Sequence, residues 1–451
     1  MNDYLQGVRS LTRRHFFGQC GLSVGSMALA AMLERNGRGQ TVASANPLEP
    51  KAPAFRPRAR SVIYLHMSGS PPQQELFDWK PKLVEHHMQP CPDELLANQQ
   101  FAFIKGHPKL LGTPYKFKQH GPGGAWISEL LPGIASIAAD LAIIRSMITD
   151  QFNHAPAELF MHTGSARAGG ASIGSWVTYG LGSENQDLPG FVVLLSGGSD
   201  PSGGKSVWGS GFLPSVFQGV QCRNEGEPIL YVSDPKGISR GVRRRGLDAL
   251  KRLNELELEQ FGDPETVTRI AQYELAYRMQ VSVPGVMDIS QEPKHVLDMY
   301  GARPGEASLA NNCLQARRLV EHGVRYVQLF DWGWDMHGTA ADNDIVSGLP
   351  KKCKEMDQPV TALVKDLKAR GLLDETLVIW GGEFGRTPMN EERAGSKFLG
   401  RDHHPKAFTV WLAGGGIKPG LTIGATDEIG YNIAENPVAV HDLHATALHL
   451  L

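Results

Sequence analysis

The feature that most constrains the fold is a repeated alternation of short apolar runs with longer helical patterns. The apolar runs are each short enough to form a strand buried on both faces, and they span residues 61–67, 141–145, 191–195, 326–330, 377–380 and 408–412. Helical spacing of apolar residues lies between them, at residues 127–138, 173–181, 247–261, 264–279, 307–322 and 351–370. Pro359 should kink or split the last of these helices. The alternation predicts an α/β fold with a mostly parallel central sheet and helices on both faces.

The N-terminal segment has the features of an export signal. Arg13 and Arg14 precede a weakly apolar run over residues 18–33, and residues 43–45 (Ala-Ser-Ala) offer a cleavage site. This run is too short and too rich in glycine and serine for a stable membrane span. We predict a twin-arginine signal peptide over residues 1–45 that engages the twin-arginine translocase, and a mature protein that is periplasmic or extracellular.

The rest of the chain is predicted to form one domain. Residues 46–60 contain several prolines and no apolar periodicity, which indicates a linker, and residues 61–451 follow as a single α/β domain. A helical pattern that opens at His441 stops at Leu451 without a cap, so we expect the C-terminus to be truncated.

Charge and cysteine content exclude several classes of protein. The chain has 45 Lys+Arg and 47 Asp+Glu residues, a formal net charge of −2, so no global field favours nucleic acid as a partner. Its five cysteines are scattered and form no CxxC pair, which excludes a disulfide scaffold and a zinc knuckle.

Polar motifs lie at the ends of the predicted strands, at positions suited to metal binding. Asp335 and His337 come after the strand at 326–330, Glu383 follows the strand at 377–380, and His403 and His404 precede the strand at 408–412. In open parallel sheets, ligands bind beyond the carboxyl ends of the strands. Two imidazole nitrogens and a carboxylate suit zinc, manganese or iron, so we predict a divalent metal site, with calcium as a further candidate ion. The alternative is that Trp332 and Trp334 anchor a structural turn in which Asp335 caps a helix.

Five longer motifs carry a family resemblance. They are YELAYRMQ (273–280), WDMHG (334–338), GEFGRTP (382–388), GRDHHP (400–405) and HDLHAT (441–446). From about residue 60 to its end, the chain resembles the exported bacterial family known as domain of unknown function 1501. That family is grouped with the alkaline phosphatase and sulfatase superfamily, so the resemblance implies that fold and one or two divalent metals.

The resemblance implies that one metal site is kept and a second is eroded. The superfamily's Asp and His pair matches Asp335 and His337, its next acid matches Glu383, and its late histidine matches His403 or His404. The acidic ligands expected after the first strand fall instead on residues 68 and 69, a serine and a glycine.

The resemblance also places His154 at the nucleophile position of sulfatases. Histidine cannot become formylglycine, so formylglycine chemistry is excluded on this alignment. His154 could instead be a metal ligand, a general base or, less readily, a covalent nucleophile. Arg386 and Arg401 are candidate anion clamps, because a guanidinium meets phosphate or sulfate through two parallel hydrogen bonds, although surface salt bridges would also explain them.

The sequence therefore predicts an exported metal-dependent hydrolase of phosphate or sulfate esters. Its substrate would be a small molecule or a glycan ester. The competing prediction is an exported binding or structural protein that retains the fold with a degenerate site, and another metallohydrolase activity in the same cleft is a third possibility.

Overall fold

The central element is a nine-stranded sheet, seen in a computed structural model that describes residues 46–97, 101–223, 228–229, 237–261 and 264–451. The strands within these ranges are β1 (Ser61–Ser68), β2 (Phe117–His120), β3 (Ala125–Ser128), β4 (Leu141–Ile148), β5 (Phe191–Ser196), β6 (Val220–Cys222), β7 (Tyr326–Trp332), β8 (Thr376–Gly381), β9 (Gly385–Arg386), β10 (His403–His404), β11 (Phe408–Ala413), β12 (Leu421–Ile423), β13 (Ala425–Thr426), β14 (Ile433–Glu435) and β15 (Val438–Ala439).

The helices of the same ranges surround this sheet. They are α1 (Gln73–Leu76), α2 (Pro81–Glu85), α3 (Asp93–Leu96), α4 (Pro132–Ser136), α5 (His154–Thr163), α6 (Ile173–Leu181), α7 (Arg240–Phe261), α8 (Pro264–Met287), α9 (Lys294–Tyr300), α10 (Leu309–Glu321), α11 (Gly348–Ala369) and α12 (Val440–Leu450). None of these described helices combines the length and the apolar character that a bilayer crossing requires.

The sheet is mostly parallel, as the sequence predicts. Its order is β12-β4-β11-β8-β1-β7-β5-β6, and β15 pairs with β4 beside this path. The pairs β1–β7, β1–β8, β5–β7, β5–β6, β4–β12 and β4–β15 are parallel, whereas β11 runs antiparallel to both β4 and β8. The register sets Ser68 opposite Trp332 and His66 opposite Gly381, so the carboxyl ends of β1, β7 and β8 lie at one edge.

Both faces of the sheet are covered, because successive side chains of a strand point to opposite sides. In β1, Ile63 and Leu65 join a core cluster with residues of α10 and α11, whereas Val62 and Tyr64 join a second cluster with residues of α5, α6 and α12. All eight residues of β1 are buried. This confirms the prediction of helices on both faces.

Two predicted local features differ from the structure, and one helix was missed. Residues 127–138 do not form one helix, because the hairpin strand β3 ends at residue 128 and Pro132 then begins the short helix α4. Helix α11 continues through Pro359 without a break, and Met356, Val360 and Leu363 around it are completely buried, so packing compensates for the missing N–H. The helix α5 was not predicted.

Only the second part of the segment before the domain, residues 46–60, lies within the described residues. The predicted twin-arginine signal over residues 1–45 lies outside them. Residues 46–60 contain neither strand nor helix. Leu48 is nevertheless buried, and the N–H groups of Arg58 and Ala59 both donate to the carbonyl of Leu450, so this segment packs along the domain.

A close backbone approach at Gly385 yields a stability prediction. A Cβ added to Gly385 would lie 1.6 Å from the carbonyl oxygen of Ala407, which only a backbone shift could relieve. We expect Gly385→Ala to lower the free energy of unfolding by about 1–3 kcal/mol, as overpacking does. Gly180→Ala is the control, since it lies in α6 with nothing within 4 Å of the new Cβ and should gain up to about 1 kcal/mol. Denaturant unfolding of both variants measures the difference, and equal stabilities would contradict the packing described.

Candidate metal centre

Four side chains from three parts of the chain meet at the carboxyl edge of the sheet. His154 is the first residue of α5, Asp335 and His337 lie in the loop after β7, and His403 lies in β10. One ligand atom from each lies within 4.8 Å of each of the others. We call these four residues the outer cluster.

The distances within the outer cluster are those of a coordination sphere. The Oδ1 atom of Asp335 lies 2.9 Å from Nε2 of His337, 3.3 Å from Nε2 of His154 and 3.4 Å from Nε2 of His403. The Nε2 atoms of His337 and His403 are 3.1 Å apart. Ligands at about 2.05 Å in a tetrahedron around zinc are about 3.3 Å from each other. The four atoms therefore fit around one ion with little movement.

The opposite ring nitrogens fix the tautomers of the three imidazoles. Nδ1 of His403 donates to the carbonyl of Phe152 at 2.7 Å, Nδ1 of His337 contacts the carboxylate of Glu391, and Nδ1 of His154 lies 2.6 Å from Oε1 of Glu383. A neutral imidazole that donates from Nδ1 has a lone pair at Nε2, and metal-binding histidines are held in this way.

Acceptor atoms face one another inside the outer cluster. With both Nδ1 atoms donating, Nε2 of His337 and Nε2 of His403 face each other as acceptors, next to the oxygen of Asp335. Nε2 of His154 is buried and has no hydrogen-bond partner among the described residues. Acceptors this close repel one another unless a proton or a metal ion lies between them.

Charge interactions keep Asp335 ionised. Burial raises its pKa, but the guanidinium of Arg386, together with the three histidines in contact with the carboxylate, outweighs burial and holds the pKa well below its ordinary value. Burial, together with the positive charges of Arg386 and His154, lowers the pKa of His403 to about 4 despite its bond to Asp335. The anionic carboxylate and the neutral imidazole are the forms that bind metals.

His154 has the opposite tendency. Burial lowers its pKa, but the contacts with the carboxylates of Asp335 and Glu383 raise it to about 9. In the metal-free protein at neutral pH, the imidazole of His154 is therefore protonated. A metal ion would replace this proton, because ligands bind metals in the deprotonated form.

The outer cluster is open to solvent on one side. The side chain of Asp335 is 27% exposed and that of His154 is 15% exposed. Phe103 packs edge-on against the rings of His337 and His403, at 5.0 and 5.4 Å between centroids, and covers the other side. A substrate could reach the cluster from the side of Asp335 and His154.

The turn after β1 brings the strand ends into contact. Gly69 has φ +102°, and a Cβ there would lie 2.6 Å from the backbone nitrogen of Asp335, so only glycine fits. Ser70 has φ +61°, and its Oγ accepts hydrogen bonds from the N–H groups of Glu383 and Phe384. A strained backbone at this point is what a positioned site requires.

The two predicted anion clamps are corrected by the structure. Arg386 is completely buried and donates to Asp335 Oδ1 at 2.5 Å and to the carbonyls of Gly69, Ser70 and Arg401. Its charge therefore stabilises the carboxylate of Asp335 and does not face solvent.

Arg401 is also buried and is fully engaged by protein groups. Its Nε and Nη2 atoms form a bidentate pair with Glu75, at 2.9 and 2.5 Å, and it donates further to the carbonyls of Leu111 and Thr387. Both guanidiniums pair inside the protein, and neither is the surface salt bridge considered as the alternative.

Two predicted metal ligands lie outside the outer cluster. His404 alternates with His403 in β10 and so points the other way, where its Nε2 lies 2.6 Å from the carbonyl of Tyr431 and its ring stacks on that residue. Glu383 instead contacts Nδ1 of His154, behind the ligand atoms.

The predicted turn around Trp334 is present in part. Trp334 is completely buried and its indole N–H donates to Asp331 at 3.0 Å, so it does anchor the turn. Asp335 does not cap a helix, because the next helix, α11, begins at residue 348.

Glu391 and the carbonyl of Phe152 were missed by the sequence analysis. Glu391 is buried between His337 and Arg393, where it accepts from Nδ1 of His337 and forms a close ion pair with the guanidinium of Arg393. It lies in an irregular segment between β9 and β10, where no hydrophobic periodicity marks which polar residues point inward. A carbonyl acceptor has no sequence signature at all.

The fold and this ligand group define the class: an α/β protein with a candidate metal centre at the carboxyl edge of a mostly parallel sheet. A family model described as "Protein of unknown function (DUF1501)" matches residues 59–451, and the chain belongs to this family. The resemblance inferred from the sequence motifs is confirmed. A comparison with curated protein sequences found no match.

Three solved structures show what the chain is similar to. The chain is similar to the PsFucS1 sulfatase from Pseudoalteromonas sp., with 12% identity and a TM-score of 0.38 over 87% of this chain and 68% of the sulfatase. It is similar to the lipoteichoic acid synthase LtaP from Listeria monocytogenes, with 11% identity and a TM-score of 0.36 over 91% and 77% of the two chains. A TAB5 alkaline phosphatase variant with bound Mg matches at 11% identity and a TM-score of 0.32, over 82% and 95%.

The neighbouring histidines of β10 provide a matched test of the outer cluster. We expect His403→Ala to lose the metal ion of this cluster, because a ligand is removed, with an affinity loss above the roughly 10–100-fold typical of supporting residues. His404→Ala should keep the ion, because its imidazole binds Tyr431. Elemental analysis of the two dialysed proteins measures bound metal, with circular dichroism as the check on folding. Equal metal content in both would show that the cluster is assigned wrongly.

Glu391 provides a second prediction. Glu391→Gln removes the charge that orients His337 while keeping its shape, so we expect metal affinity at the outer cluster to fall by about 10–100-fold. Competition against a fluorescent chelator measures the affinity. An unchanged affinity would show that this carboxylate does not support the metal ligands.

Proposed function

We propose that the protein is an exported metal-dependent hydrolase of phosphate or sulfate esters, acting on a small molecule or a glycan without a formylglycine nucleophile. The observation that carries this proposal is the meeting of three Nε2 atoms and one carboxylate oxygen at a solvent-facing edge of the sheet, with the oxygen 2.9–3.4 Å from each nitrogen. The predicted twin-arginine signal supports export to the periplasm or beyond.

The ligand set favours a transition metal. Three imidazole nitrogens and one carboxylate suit zinc, manganese or iron, whereas calcium prefers oxygen ligands throughout. In this proposal Asp335, His337 and His403 hold the ion. His154 is the fourth ligand, because its unpartnered Nε2 belongs to the same group of atoms, and the exposed side of the cluster leaves the ion a further position for water or an ester oxygen. A divalent ion bound here would lower the pKa of water to about 7 and polarise an ester oxygen.

The protein's own residues orient and protect the site. Glu383, Glu391 and the carbonyl of Phe152 hold the three imidazoles in one tautomer, and Arg386 keeps Asp335 anionic. The exposed side of Asp335 and His154 admits the substrate. Buried residues therefore orient the metal ligands, and the two partly exposed residues let the substrate reach the ion.

A second candidate function is an exported binding protein with the same fold. The specific observation that favours it is that Arg386 and Arg401, the guanidiniums predicted to grip the substrate anion, are buried and bound to protein groups. An enzyme of this class would then need other groups to bind the anion.

Turnover with matched variants decides between the two functions. We expect the protein loaded with zinc, manganese or iron to hydrolyse an aryl phosphate or an aryl sulfate, and Asp335→Asn to lower kcat by at least about 10²-fold through loss of metal and charge stabilisation. His404→Ala should retain the activity, because His404 lies outside the outer cluster. Metal binding without turnover on either ester class would favour the binding protein, and absence of metal would refute the hydrolase.

A further inference from the structure

A second group of titratable side chains lies behind the outer cluster. Helix α5 places His154, Glu158 and His162 four residues apart, so they lie along one face. His66 of β1 and Glu383 after β8 face the middle of this row, since Glu383 contacts both His154 and His66. We call His66, Glu158 and Glu383 the inner cluster, and the side chains of all three are completely buried.

The inner cluster is held by few hydrogen bonds. Oε1 of Glu383 contacts Nδ1 of His154 at 2.6 Å and accepts the N–H of Gly69 at 3.0 Å. Oε2 of Glu383 lies 3.2 Å from Nε2 of His66 but forms no hydrogen bond with it. Oε2 of Glu158 accepts the N–H of Gly203 at 2.6 Å. One ligand atom from each of the three residues lies within 4.8 Å of the other two.

The remaining polar atoms of the inner cluster have no hydrogen-bond partners among the described residues. They are Oε1 of Glu158, Oε2 of Glu383 and both ring nitrogens of His66. A buried polar atom without a partner costs about 1–3 kcal/mol, and a buried carboxylate costs more. Because one ligand atom from each of the three residues lies close to the other two, these unpartnered atoms indicate that a group which the described residues do not supply binds between them.

We propose that the inner cluster binds a second divalent transition-metal ion. Two carboxylates carry two negative charges, and a divalent cation neutralises both within a space that excludes water. One imidazole nitrogen with two carboxylate oxygens is a ligand set for zinc, manganese or iron. Ligands at about 2.1 Å lie at most about 4.2 Å apart across an ion, so the observed spacing needs only small side-chain movements.

Glu383 joins this inner site to the outer cluster. One of its oxygens fixes Nδ1 of His154, and the other faces the inner site. An ion bound to the second oxygen would hold Glu383 in the position that orients His154. The inner site therefore supports the geometry of the outer one, and it does so whether or not the outer cluster catalyses a reaction.

The competing explanation is a proton shared between the two carboxylates. Burial and the charge of Glu383 raise the pKa of Glu158, so a neutral Glu158 could donate to Glu383. This explanation predicts that Glu158→Gln, whose amide also donates, leaves metal content unchanged. The metal explanation predicts the loss of one ion.

Metal stoichiometry of the full protein tests the inner site. After reconstitution with zinc or with manganese, native mass spectrometry and elemental analysis should find two ions per chain. EDTA should remove one quickly and the other at least about tenfold more slowly, because the inner cluster is fully enclosed. Glu158→Gln should lose only the slow ion, and His403→Ala should lose only the fast one.

Asp357→Asn serves as the control for altering a buried carboxylate. Asp357 accepts the N–H groups of Gly133 and Ile134 and belongs to neither cluster, so this variant should keep two ions. A wild-type protein that binds one ion, or a Glu158→Gln protein that still binds two, would overturn the inner site. The wild-type count decides the matter even if a variant does not fold, and it is independent of whether any ester is hydrolysed.

Discussion

The ion pair between Asp335 and Arg386 is the interaction on which the rest of the site depends. Asp335 is a carboxylate in a mostly enclosed place, and it stays ionised because a completely buried guanidinium lies 2.5 Å away. The same guanidinium donates to the carbonyls of Gly69, Ser70 and Arg401, so it fastens the turn after β1, the loop after β7 and the β9–β10 hairpin together. The charge that the candidate metal centre needs is thus also the connection between the loops that form it.

The fold could be predicted from the sequence because burial leaves a strong signal. A strand that is buried on both faces has a short, continuous run of apolar residues. All six predicted runs coincide with strands of the central sheet. The helix α5 was missed because its face toward the sheet carries His154, Glu158 and His162, which interrupt the apolar pattern. Prediction of helices from the spacing of apolar residues fails where polar residues are buried for a reason other than packing.

The site was predictable only as far as strand ends could be located. The positions of β7 and β11 in the sequence predict Asp335, His337 and one of the two neighbouring histidines. The choice between His403 and His404 depends on the register of β9 and β10, in which His403 pairs with Arg386. The pairing of Glu75 with Arg401 and that of Glu391 with His337 could not be recognised, because the partners lie 326 and 54 residues apart along the chain. Arg401 looked free for the same reason, since its partner Glu75 lies in a short helix near the other end of the chain.

Charge balance around the two clusters follows from these pairings. Arg386 pairs with Asp335, Arg401 with Glu75, and Arg393 with Glu391, so each of these buried or half-buried acids has a guanidinium. Glu158 and Glu383 have none among the contacts of the described residues, and the histidines are their only titratable partners there. A protein can hold two adjacent buried carboxylates only if protons or metal ions balance them. The arginines thus account for the acids that shape the loops, and the two glutamates without arginines mark where a cation is needed.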